Sequence, residues 1–445
     1  MTSPIGAEIA GRVLDLVGNR AEAQVTATSG RHSLTRFANS FIHQNVAEEV
    51  RHVSLKIAAG GRVASATTTR TDASGLERLV EAALAAARLR PVDPDWPGLA
   101  SPQAPVAVDH YDAATDDASP DMRAERVAAF VGAGPGLAAA GYCDTDGNHV
   151  AFANSAGQAA EGRYSRATLD GIHQTDDSAG SAHHTAAALA EIDASAAGTE
   201  AARRARDSRR ATELEPGDYE VVLEPECVAT MLIFLGAYGF NAKQVIEGQS
   251  AIEVGKAQFD PVVDITDDPV DPRAIGLTFD WDGTPRHRLE LVRAGASAAL
   301  AHDRRTAAKL GTTSTGHAYP GSETWGPFPG NLFMAPGNAS REELIAPVRR
   351  GLLVTTFNYC RVLDPRTQVT TGLTRNGTFL VEDGEVRGGV ANLRFTQSFL
   401  EALGPGNVLG VGSAARFADS EFGTGMIHCP AVRLASFRFT GGARG

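Results

Sequence analysis

Apolar residues at Ile5, Ile9, Val13, Leu14, Leu16 and Val17 recur with helical spacing, and extended runs follow at 23–28, 34–45 and 50–58. Gly60-Gly61 turns the chain into another extended run at 62–69. Thr71-Asp72 then supplies a cap for a helix over 73–90, whose Leu76, Leu79, Val80, Ala83 and Leu84 share one face and which Pro91 stops. Residues 91–120, rich in Pro, Asp and Ala, read as a loop crossing the surface. Ser119-Pro120-Asp121 has the cap, first-turn proline and early acid of a helix start, with the helix running to about Val131. Strands are expected at 138–145, 149–154, 159–170 and 177–187, with a turn at Asp146-Gly147, before a helix over 188–210.

The texture changes near residue 213. Leu214-Glu-Pro-Gly-Asp218 breaks the preceding helix and leads into an apolar strand at 219–223. Apart from helices at 226–239 and 341–349, the rest is short apolar runs separated by Gly, Pro, Asp and Asn. The expectation is an α+β chain. An N-terminal domain over 1–212 mixes helices with antiparallel strands, and a β-rich C-terminal domain covers 213–445.

Composition narrows the function more by exclusion than by indication. In 445 residues, 41 Lys+Arg face 53 Asp+Glu for a net charge of −12, and no basic run offers a phosphate-binding surface, so nucleic acid is not an expected partner. The stretch 227–242 is too short and too glycine-rich for a membrane span, and residues 1–16 carry Glu8, Arg12 and Asp15 where a secretory signal needs an apolar core. A cytoplasmic protein is expected. Cys143, Cys227, Cys360 and Cys429 are too dispersed for a disulfide framework or a cysteine-rich zinc knuckle.

Signatures of common hydrolases are absent: there is no GxSxG, HExxH or Walker loop. Gly132-Ala-Gly-Pro-Gly136 follows a helix and contains proline, which is the wrong context for a dinucleotide loop. Of twelve histidines only His183-His184 are adjacent, and neighbouring strand residues face opposite sides, so joint metal ligation is not expected. Asp264, Asp267, Asp268 and Asp271 are dense enough for a calcium loop, but the interleaved prolines and missing EF-hand glycine favour an acidic turn.

A set of local patterns in the C-terminal half carries more information. Val263-Asp-Ile-Thr-Asp-Asp-Pro269, Phe279-Asp-Trp-Asp-Gly-Thr-Pro285, Thr313-Ser-Thr-Gly-His317, Asn331-Leu-Phe-Met-Ala-Pro-Gly337, Leu380-Val-Glu-Asp-Gly384 and Pro430-Ala-Val-Arg-Leu434 occur in an order that resembles the TldD/PmbA family. Leu34-Thr-Arg-Phe-Ala-Asn39 and Asn154-Ser-Ala-Gly157 are similar to its N-terminal domain, so the resemblance covers almost the whole chain. It implies a zinc metallopeptidase system of two paralogues, TldD and TldE (PmbA), paired around an enclosed cavity. The TldD kind carries HExxxH on the helix after the first C-terminal strand, with a distal cysteine.

Here that helix begins Pro225-Glu-Cys-Val-Ala-Thr230. Pro225 has no ligating atom, Thr230 offers a neutral hydroxyl, and Glu226 alone survives, with the helix dipole as its simplest reason. The segment 412–427 contains no cysteine, and Cys429 reads as structural. The resemblance therefore implies a TldE/PmbA-like, non-catalytic subunit with no metal or cofactor of its own. Zinc is expected in a TldD-like partner, with an unstructured peptide as substrate and a substitute homodimer when this chain is alone. His317 and Tyr359 are the candidates for substrate or partner contact, on turns expected to face the cavity. Two other readings stay open: an independent hydrolase using Cys227, Glu226 and His317, and a regulatory protein-binding subunit of the gyrase-modulator type.

Overall fold

The computed structural model describes residues 5–420 and 426–442. Helix α1 (Ile5–Val17) leads into two strands much longer than the sequence runs suggested, β1 (Glu22–Ala38) and β2 (Phe41–Ala59). The expected run 34–45 is in fact two strands joined by a two-residue hairpin turn. Asn39 and Ser40 both have positive φ, 49° and 64°, the mirror-image turn whose twist matches that of paired strands. β3 (Arg62–Thr68) and α2 (Ala73–Leu89) follow. Asp72 is at the N-cap of α2 but makes no cap hydrogen bond, because Arg70 and Ser74 engage its carboxylate.

Residues 91–120 strap the two halves together as they cross the surface. His110 is buried there, its ring nitrogens meeting the carbonyls of Asp271 and Gly276, and a short helix, α3 (Ala113–Asp116), interrupts the segment. α4 (Pro120–Gly132) starts where expected, with Ser119 Oγ accepting from Met122 N. β4 (Ala138–Asn154) then runs straight through Asp146-Gly147, where a turn was expected. Pairing on both edges, to β1 and to β5 (Ala159–Gln174), outweighs the turn preference of that dipeptide. Gly147 still has a purpose: a side chain there would strike the Asp116 carboxylate, 2.0 Å from the Cβ position. β6 (Ala179–Ala186) completes a six-stranded antiparallel sheet in the order β3-β2-β1-β4-β5-β6.

The expected helix over 188–210 resolves into a 3-10 turn at Leu189–Glu191 and α5 (Ala194–Asp207), capped by Asp193. Its Ala201 and Ala205 lie close on Gly180 of β6, while Gly198 faces α4, where a side chain would strike the Phe130 carbonyl. Helices thus cover one face of the sheet. The other face carries polar side chains toward the second half of the chain.

That second half is built on a thirteen-stranded mixed sheet. Its first strand, β7 (Gly217–Leu223), runs parallel to Arg350–Val354 and antiparallel to the closing strand Ile427–Gly442. α6 (Pro225–Phe234) follows at once, every residue of it buried, and continues as a π turn over Leu235–Gly239. An aromatic group formed by Phe357, Phe395 and Phe437, with centroids 4.5–5.5 Å apart, anchors the core around it. The arrangement is the α+β one expected, with antiparallel strands first and a β-rich region after.

Candidate functional site

The first turn of α6 is at the seam between the two sheets. Its N-cap, Glu224, is buried and holds Arg204 of α5 and Arg341, the latter at 2.7 Å. Burial opposes the charge of Glu224, but the two guanidinium groups outweigh it and keep the carboxyl below its ordinary range. Pro225 occupies the first helical position, where a missing N–H is harmless.

Glu226 is 5% exposed. Arg416, from the strand Val408–Ala418, approaches its Oε1 to 2.6 Å, and neither carboxylate oxygen has a well-formed hydrogen bond among the described residues. Burial works against the charge on Arg416, and Glu226 restores it, leaving the guanidinium more firmly protonated than usual. Thr230 Oγ1 donates to the Glu226 carbonyl at 3.0 Å. Cys429 lies nearer this turn than its sequence position suggested, its Sγ donating to the Pro225 carbonyl at 3.2 Å, and burial pushes its thiol well up.

This donor set does not fit zinc. One position has no donor atom, one hydroxyl is already committed to a backbone carbonyl, the nearby thiol resists ionisation, and an arginine supplies the positive charge. Part of the segment in which a distal cysteine was sought, residues 421–425, lies outside the described residues.

Across the seam, the polar face of the N-terminal sheet carries a row of titratable groups. His32 Nδ1 is 2.7 Å from Asp146, Arg166 pairs with Asp146, and Asp144 is buried beside them. Burial lifts the Asp144 carboxyl to about 6 against the pull of Arg166. Farther along the row, His183 Nδ1 is 3.2 Å from Asp170, its cross-strand partner, and Asp419 joins them. His183 and His184 diverge as expected, His184 accepting from Asp193 N on the opposite face.

A proton held by Asp144 has a measurable consequence. Between pH of about 4 and about 6 the folded chain keeps a proton that the unfolded chain has lost, so stability falls as pH rises through that window. Asp144→Asn removes the penalty. Relative to the parent it should gain roughly 1–2 kcal/mol between pH 4.5 and pH 7.5 in urea unfolding, after allowance for the lost attraction to Arg166. An identical difference at both pH values would show that Asp144 is ionised throughout.

The two residues proposed from sequence as contacts fare differently. His317 does not face a cavity: it is 2% exposed, with Nε2 2.9 Å from Asp267 and Nδ1 2.8 Å from Thr315 Oγ1. It belongs to a buried network in which Arg286 also pairs with Asp267 at 2.8 Å, and that expectation is corrected. Of the neighbouring aspartates in the chain, Asp264 accepts from Ala294 N, Asp268 from Val270 N, and Asp271 from Arg273 N. Tyr359 is 64% exposed at a bulge, with an unusual φ of 54°. Cys227 is fully buried, its Sγ directed at the Val354 carbonyl, and burial raises its thiol far above the reactive range.

Comparison with known proteins places this arrangement. Residues 216–441 match the PmbA/TldA metallopeptidase C-terminal domain, and residues 23–87 match the PmbA/TldA metallopeptidase domain 1. The chain belongs to the PmbA/TldA metallopeptidase family. A metalloprotease of Methanothermobacter thermautotrophicus is 28% identical over 211 residues, 45% of this chain and 44% of that one. A TldD-homologous metalloprotease of Haemophilus influenzae is 25% identical over 157 residues, 34% and 32% of the two chains. The chain thus spans less than half the length of the curated relatives it matches. Among solved structures, TldE from Thermococcus kodakarensis superposes with a TM-score of 0.85 at 18% identity, covering 99% of this chain and 100% of that one. A Thermotoga maritima protein solved as a candidate modulator of a DNA gyrase gives 0.84 at 18%, covering 97% and 99%. At that identity these two likenesses speak for the fold alone.

Proposed function

We propose that this family member is the non-catalytic, TldE/PmbA-like subunit of a cytoplasmic zinc metallopeptidase complex that degrades or processes unstructured peptides, with the zinc held by a TldD-like partner. One observation carries the reading. Both imidazole positions of the motif are replaced, by Pro225 and Thr230, and the remaining Glu226 is tied to Arg416 instead of standing free to take a proton from water. No helix among the described residues is long and apolar enough to cross a membrane.

Support for a partner comes from the outer edge of β2. β3 pairs only with Val53–Ala59, and residues 41–52 have no strand on that side among the described residues. Phe41, Ile42 and Val50 are exposed there, an edge suited to strand addition by a partner or an extended peptide. An independent hydrolase is disfavoured by the buried state of Cys227 and His317. A gyrase-directed role, given the net charge of −12, requires contact with protein instead of DNA.

The test is peptide hydrolysis by this chain alone, by a TldD-like partner alone and by the mixture. Cleavage is expected only where the partner is present, and Glu226→Gln in this chain should leave the mixture's rate unchanged. Cleavage by this chain alone, abolished by Glu226→Gln, would overturn the assignment.

A further inference from the structure

The polar row on the N-terminal sheet contains two groupings with metal-ligand chemistry, and their surroundings differ in one decisive respect. His32, Asp144 and Asp146 have a cation already, because Arg166 pairs with Asp146 and lies 3.8 Å from Asp144. Asp170 and Asp419 have none among the described residues. Among the described residues no Lys or Arg forms an ion pair with either carboxylate, and the only basic group beside them is His183.

We propose that Asp170, His183 and Asp419 bind a divalent first-row metal ion at the seam between the two sheets, a site separate from the degenerate motif on α6. The ligand atoms of the three side chains all lie within 4.8 Å of one another. Two bonds of about 2.0–2.2 Å to one ion span up to about 4.4 Å, so small side-chain rotations close the site. Two carboxylates and one imidazole, without a thiol, suit Mn2+ or Zn2+ better than a soft ion.

The imidazole is held for such a role. Cross-strand pairing sets His183 opposite Asp170, and its Nε2 is 2.8 Å from Thr185 Oγ1, which is 3.1 Å from Thr168 Oγ1. With a metal on Nδ1 in place of the proton shared with Asp170, Nε2–H would donate to Thr185, the outer support that metal-binding histidines require. His183 is buried, whereas the Asp170 side chain is 35% exposed, which leaves solvent access for the remaining coordination positions.

Glu226 of the degenerate motif is outside this group of three, buried and paired with Arg416 at 2.6 Å. The competing arrangement is a protonated His183 bridging Asp170 and Asp419. Burial disfavours that charge and the carboxylates favour it, with a net rise in the ring's proton affinity.

This inference does not depend on the non-catalytic reading, since it concerns binding and not hydrolysis. The experiment is Mn2+ titration of the full purified chain, followed by electron paramagnetic resonance of the free ion and by the thermal midpoint. One saturable Mn2+ per chain is expected, with a raised midpoint. Asp419→Asn, at the strand end, and His183→Gln should each weaken binding at least tenfold, while His32→Gln leaves it unchanged. Because His183→Gln could disturb packing, Asp419→Asn with an unaltered midpoint in the absence of metal is the deciding variant. Weak, non-saturating binding would overturn the proposal. So would saturable binding that survives Asp419→Asn, or a His183 ring that stays protonated at saturating Mn2+.

Discussion

Glu224→Ala should destabilise the folded chain by about 3 kcal/mol, the lower end of the range for removing one partner of a buried ion pair. Glu224 links the two halves of the molecule, because its carboxylate holds Arg204 of α5 in the N-terminal half and Arg341 in the C-terminal half. Arg204 is 1% exposed, and without Glu224 it keeps, among the described residues, the partly exposed Glu200 as an ion-pair partner 2.6 Å away and a hydrogen bond to the Ser181 carbonyl. That residual pair is why the lower end of the range is expected. Replacing Arg204 with Met alongside Glu224→Ala should recover part of the loss, with a coupling energy of roughly 1–3 kcal/mol in a double-mutant cycle followed by urea unfolding. Strict additivity of the two substitutions would show that the pair does not couple the halves.

Arg416→Ala should have an effect of similar or larger size, about 3–5 kcal/mol, because among the described residues Glu226 has no other cation within ion-pair distance and no well-formed hydrogen bond. Adding Glu226→Gln should return most of that loss by removing the stranded charge. The same pair governs any attempt to rebuild the family motif. Pro225→His with Thr230→His restores the HExxxH spelling, yet Arg416 would still occupy Glu226 and two imidazoles fall short of the three protein ligands usual at a catalytic zinc. Weak zinc binding and no peptidase turnover are expected from that double variant. In the triple variant that also carries Arg416→Ala, zinc should restore part of the thermal midpoint lost with the arginine, one cation standing in for another. Zinc that shifts the midpoint of Arg416→Ala alone by the same amount would indicate binding elsewhere, and Asp419→Asn in that background separates the two sites.

Much of the local structure was legible from spacing and caps. α1, α2 and α4 begin and end within a residue or two of the expected positions, since an apolar face every three to four residues and a cap such as Ser119 are local signals. Turn chemistry was less dependable. Asn39-Ser40 turns without a glycine, and Asp146-Gly147 does not turn at all, because strand pairing on both edges decides the path of β4. The donor chemistry at Pro225 was equally local. Pro225 has no donor atom wherever it is placed, so its identity alone rules it out as a ligand.

Which groups meet was a different matter. His317 looked available in a glycine-containing turn, but Asp267 and Arg286 enclose it from distant segments. Arg416 reaches Glu226, and Asp419 reaches His183, only because the strand Val408–Ala418 pairs with the closing strand and returns across α6 to β6. The sequence by itself determined α1, α2, α4 and the α+β class, because helix periodicity and capping are properties of single residues and near neighbours. The tertiary structure alone decided which charge neutralises which. Electrostatic pairing depends on separations of a few ångströms and on exclusion of water, and both are set by the register of strands remote from one another in the chain.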